Sequence, residues 1–128
     1  MWFAKKKSNK IYTPVVPSGL IAHTEKGYFY VKGQKRFKFV SDRAKDSWLL
    51  TVVETKEVMM KDYPVSGLLG FRDGTLVKDI SDGKIYLISD SKRRHVVDPD
   101  VLLWIDQEVV DAGEKEISVH QLGDKLNG

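Results

Sequence analysis

Short apolar clusters punctuated by glycine, lysine and aspartate run along this chain, and within them the alternation has the two-residue period of strands. Residues 36–40 are the clearest case, with Arg36 and Lys38 interleaved between Phe37, Phe39 and Val40. The same criterion predicts strands at 20–22, 28–31 and 49–53, with turns at 25–27 and 32–35. Ser41 reads as the cap of a short helix over 42–48, with Asp42 favourable in its first turn. Residues 56–60 read as a short strand or a turn.

Beyond Pro64, Gly67 and Gly70, which read as a separator, the pattern starts again. Strands are predicted at 75–78, 85–88 and 92–97. Asp82-Gly83 is a strong hairpin dipeptide, and residues 89–91 form the next turn. Asp98-Pro99-Asp100 reads as a helix start, and Val101, Leu102 and Ile105 are expected to pack inward. A turn at 111–113 and a last helix over 119–126, capped by Ser118, complete the pattern.

The two runs align residue by residue. Leu20, Gly27 and Tyr30 match Leu76, Gly83 and Tyr86 at a spacing of 56 (83 − 27). Lys35, Arg36 and Val40 match Lys92, Arg93 and Val97 at 57, as Val52 and Val53 match Val109 and Val110. Lys56 and Glu57 match Lys115 and Glu116 at 59. A period of this size is that of a supersecondary unit used twice. The predicted fold is α+β and strand-rich: two tandem units of three strands and a short helix, 18–70 and 71–128, sharing one domain. An extended basic arm, 1–17, precedes them. In it Trp2 and Phe3 lead a lysine run, Lys5, Lys6 and Lys7, and Pro14 and Pro17 keep the chain extended.

Composition narrows the chemistry. The chain has 128 residues, 41% hydrophobic and 30% charged, as in ordinary globular domains. It has no cysteine, which removes thiolate catalysis, disulfides and cysteine-ligated metals. No apolar run is long enough to cross a membrane, and no signal peptide is predicted, so synthesis in a cytoplasm is expected. His23, His95 and His120 are scattered without metal-ligand spacing. Neither a phosphate-binding glycine loop nor a calcium loop occurs. No catalytic residue, metal or cofactor is therefore assigned. With a net charge of +3, the residues that stand out are two basic edges: Lys35, Arg36 and Lys38, then Lys92, Arg93 and Arg94. Tyr28, Tyr30, Phe37 and Tyr86 lie among them, so the edges could carry a nucleic acid by phosphate contact and stacking.

The second unit resembles a short repeat of bacterial surface proteins and tailed-phage structural proteins. The resemblance rests on Gly74-Thr75-Leu76-Val77, on Gly83 through Ile88, on Lys92 through Val96, and on the predicted helix from Pro99 to Trp104. It implies a non-enzymatic role on a surface or in a virion. The expected function is that of a structural or assembly protein, a small tailed-phage virion component that bridges or decorates larger protein subunits. Trp2, Phe3, Lys5, Lys6 and Lys7 are the expected partner-binding residues, and a nucleic-acid-binding module is the alternative.

Overall fold

A computed structural model of the chain describes residues 16–105 and 107–126. The fold is α+β and strand-rich. Its described strands are β1 (Ile21–Thr24), β2 (Gly27–Lys32), β3 (Lys35–Phe39), β4 (Val52–Glu54), β5 (Val65–Leu69), β6 (Leu76–Asp79), β7 (Ile85–Ser89), β8 (Lys92–His95) and β9 (Val109–Ala112). Two short α-helices accompany them, α1 (Asp42–Asp46) and α2 (Glu114–Ile117), with 3₁₀ turns at Glu57–Met59 and Pro99–Leu103. The first sheet has the order β4-β1-β2-β3-β5 and the second β8-β7-β6-β9. Two compact units result. Of the described residues, one holds 16–38 and Leu50–Gly67, the other Phe39–Leu49 and those from Leu68 onward.

Both sheets are wired alike. In each, an antiparallel three-strand meander (β1-β2-β3 or β6-β7-β8) gains a parallel strand beside its first member, β4 or β9. Register corrects the expected match of Tyr30 with Tyr86. Tyr30 faces Ile21, whereas Tyr86 faces Val77, which stands where Ala22 does; the counterpart of Tyr86 is therefore Phe29, opposite Ala22. The cause is the hairpin loop. Residues 25 and 26 link β1 to β2, while four residues, 80–83, separate the bonded pair Asp79 and Lys84. From β2 onward the spacing is a constant 57 (93 − 36), so Glu57 corresponds to Glu114 rather than to Glu116.

The first unit packs Val16, Ala22, Val31, Met60 and Tyr63 into one buried cluster. The second unit has two. One gathers Ala44 of α1 with Phe71, Val77, Tyr86, Ile88, Ala112 and Ile117; the other gathers Leu76, Val96 and Val101. Ser41 caps α1 as expected, its hydroxyl accepting from the Ala44 N–H at 3.1 Å. Asp98 likewise accepts from the Asp100 N–H at 2.9 Å.

Three local expectations fail for identifiable reasons. The stretch around Pro64, Gly67 and Gly70 is a strand, β5, because Pro64 and Leu69 carbonyls accept from the N–H groups of Arg36 and Val40. The predicted turn at 111–113 instead ends β9, and Gly113 starts α2. No helix covers 119–126. That segment is extended, bonded to β8 through Arg93 N–H to Gln121 O at 2.9 Å and Leu126 N–H to His95 O at 2.8 Å. Val97 N–H also donates to Leu126 O, as Val40 N–H does to Leu69 O. The tail thus plays for β8 the part β5 plays for β3.

Candidate interaction surface

Arg36 was expected on an exposed basic edge, but it is 6% exposed. Antiparallel pairing sets it opposite Val31 and Lys38 opposite Phe29, so these four side chains share one face. The guanidinium lies 4.5 Å from the Phe29 ring centroid. Its Nε donates to Tyr63 O at 2.8 Å, and Nη1 and Nη2 grip Glu57 in a fork at 2.6 and 2.7 Å. The Thr24 hydroxyl donates to the same carboxylate at 2.5 Å. Arg36, working against burial and helped by Thr24, holds the Glu57 carboxyl at about 2. All three guanidinium nitrogens of Arg36 therefore donate within the fold.

Arg93 repeats half of this arrangement. It lies 5.6 Å from the Tyr86 ring and donates through Nη1 to His120 O at 2.8 Å and to Ile117 O at 3.3 Å. The fork is missing. Glu114, in the place of Glu57, is exposed, and Asp79, in the place of Thr24, accepts from Ser81 instead. Arg93 Nε is consequently buried with no hydrogen-bond partner among the described residues.

The rest of the predicted edges divides. Lys35 and Lys92 are exposed at matching first positions of β3 and β8. Lys38 is exposed but donates to Lys26 O at 2.7 Å, and half-buried Arg94 donates to Asp124 O at 3.0 Å. Trp2, Phe3, Lys5, Lys6 and Lys7 lie outside the described residues.

His23 and His120 both make contacts within the fold. His23 stacks on Tyr28 with centroids 4.2 Å apart and meets Glu54 at 3.0 Å. Buried His120 donates from Nδ1 to Ser91 O at 2.6 Å and accepts the Phe71 N–H at Nε2, 2.9 Å away. Burial holds His120 below its ordinary value, with Arg93 adding to the effect and the Ser91 carbonyl and Asp73 opposing it. The unfolded chain therefore takes up this proton first. The stability contribution is complete above about 6.5 and is lost as pH falls below it. Urea titrations at pH 7 and pH 5 should show lower stability at pH 5, and His120→Gln should reduce that difference. An unchanged difference would remove His120 as its source.

Among the described residues no group of three His, Asp or Glu side chains is placed to hold a metal ion. No described helix is long and apolar enough to cross a membrane. A cleft of about 500 Å³ is lined by His23, Thr24, Glu25, Glu54, Thr55 and Lys56.

What the strand pattern did not reveal is an apolar display. Leu103 is 80% exposed and Trp104 74%, at the end of the 3₁₀ turn whose Val101 is buried. Leu49 is 84% exposed and holds a φ of 52°, a left-handed conformation that costs a leucine more than a glycine. The available signal was the turn itself: with Val101, Leu102 and Ile105 turned inward, Leu103 and Trp104 have only the outer side left. No family model, curated protein or solved structure matches the chain.

Proposed function

We propose that this chain is a non-catalytic structural protein of an assembly, a small component of a tailed-phage particle that bridges or decorates larger protein subunits. The observation that carries the reading is the display of Leu103 and Trp104 on a turn anchored by Val101 and capped by Asp98. A large aromatic side chain held out on an ordered turn fits an interface anchor, since burial in a partner would remove its surface from water. The strained, exposed Leu49 points the same way. The basic residues favour protein over nucleic acid as partner, because Arg36 is buried with its guanidinium on Glu57 and Tyr63, and the Arg93 guanidinium is turned inward, its Nη1 donating to Ile117 and His120.

In this reading Trp2 and Phe3 are a second anchor, and Lys5, Lys6 and Lys7 orient it. The described members of the first unit's core begin at Val16, so a cut after residue 10 removes none of them. Deleting residues 1–10 should leave the thermal unfolding midpoint nearly unchanged and abolish co-purification with the particle. A truncated chain that still enters particles normally would count against the arm as an anchor.

A further inference from the structure

The apolar display sits in an unusually one-signed stretch. Residues 98–114 contain Asp98, Asp100, Asp106, Glu108, Asp111 and Glu114 and no lysine or arginine. Residues 1–17 show the opposite bias: Lys5, Lys6, Lys7 and Lys10, with no aspartate or glutamate. Each stretch also carries large apolar groups, Leu103 and Trp104 in one and Trp2 and Phe3 in the other. Asp100, Glu108 and Asp111 are exposed, and none has an ion-pair partner among the described residues.

We propose that the acidic, apolar turn of one copy of this chain is the docking site for the basic arm of a second copy, residues 1–10. The inference rests on the assembly reading and names a second copy as partner. Trp2 and Phe3 cover Leu103 and Trp104, so that aromatic surface on both sides leaves water together. The lysines face the exposed carboxylates of this stretch, Asp100 and Glu108 first, and Asp111 in β9 beside its register partner Lys78, adding orientation, speed of encounter and sensitivity to salt. Asp98 is left to its cap, since its carboxylate already accepts from the Asp100 N–H. Mutual exchange, each arm on the other copy's turn, closes a pair; onward exchange builds a chain or ring.

A charge-swap experiment on full-length protein separates this from other occupants. One variant carries Lys5→Glu, Lys6→Glu and Lys7→Glu. The other carries Asp100→Lys, Glu108→Lys and Asp111→Lys. All substitutions of the second are at exposed positions, so circular dichroism should show both variants folded. In sedimentation equilibrium the wild type should associate with rising concentration, less so at high salt. Each variant alone should associate at least roughly tenfold more weakly, because like charges then face each other. An equimolar mixture should recover association, since every arm then meets a turn of opposite sign. Trp104→Ala should weaken the wild-type association without altering the fold. A wild type that stays monomeric at all concentrations overturns the proposal, as does a mixture no stronger than its components. A monomeric chain that nonetheless purifies with the particle would leave the assembly reading standing and remove the second copy as partner. An associating chain that is absent from the particle would do the reverse.

Discussion

Arg36→Ala is expected to lower the unfolding free energy by about 3 kcal/mol, the usual cost of removing one partner from a buried ion pair. The loss has several parts. Glu57 is left with the Thr24 hydroxyl in place of a two-pronged guanidinium, the Tyr63 carbonyl loses its donor, and the stacking on Phe29 disappears. Arg36→Lys should rescue little, since an ammonium can neither fork onto the carboxylate nor lie flat on the ring. The double variant Arg36→Met with Glu57→Leu should recover much of the loss, because no unpaired charge remains. The effect also has a pH signature. The folded Glu57 carboxyl is held at about 2, below its ordinary 4.5. Its contribution is therefore present above about 4.5 and disappears as pH falls toward 2. Urea unfolding of wild type and Arg36→Ala at pH 7 and pH 3 should show the two curves drawing together in acid. A change below about 0.5 kcal/mol at pH 7, the size of an ordinary surface substitution, would show that the pair does not hold the first unit.

Gly70→Ala should be comparably damaging, by about 3 kcal/mol from overpacking together with a lost buried hydrogen bond. Gly70 needs no special backbone angle. It is required because a methyl group there would fall on the His120 ring and within 2.7 Å of Val119 Cγ2. His120 cannot yield cheaply, since its ring is bonded at both nitrogens, to Phe71 and Ser91. The control is Gly113→Ala, whose new methyl would meet only Glu116 Oε1 at 3.6 Å. Thermal denaturation should separate the two variants clearly. Equal midpoints would mean that the His120 ring moves aside without loss.

Residues with local causes were legible in the sequence. The Asp82-Gly83 turn, the Ser41 and Asp98 caps and the meanders of β1-β2-β3 and β6-β7-β8 follow from turn chemistry and strand composition. Non-local pairing hid the rest. Alternation in β3 suggested that Phe37 and Phe39 face inward and Arg36 outward, yet Arg36 can occupy the core face because Glu57 arrives from far along the chain to neutralise it. Pro64 and Gly67 looked like breakers, but pairing at a sheet edge tolerates both. The tail at 119–126 carried a helical cap signal, and β8 captured it as an extended strand-like segment. Of the described basic-edge residues, only Lys35, Lys38 and Lys92 stayed clearly outside. Arginine on an aromatic-faced strand was the misleading signal, and its recurrence 57 residues later beside Tyr86 was the clue to its inward role.

The functional account predicts that this chain resides in a particle rather than acting free in solution. Mass spectrometry of density-purified particles from cells producing the protein tests that claim most directly. The account predicts that its peptides co-purify with those of the larger structural subunits and stay with them through a salt wash that removes loosely bound protein. Recovery of the chain only in the soluble fraction, as a free monomer, would contradict it.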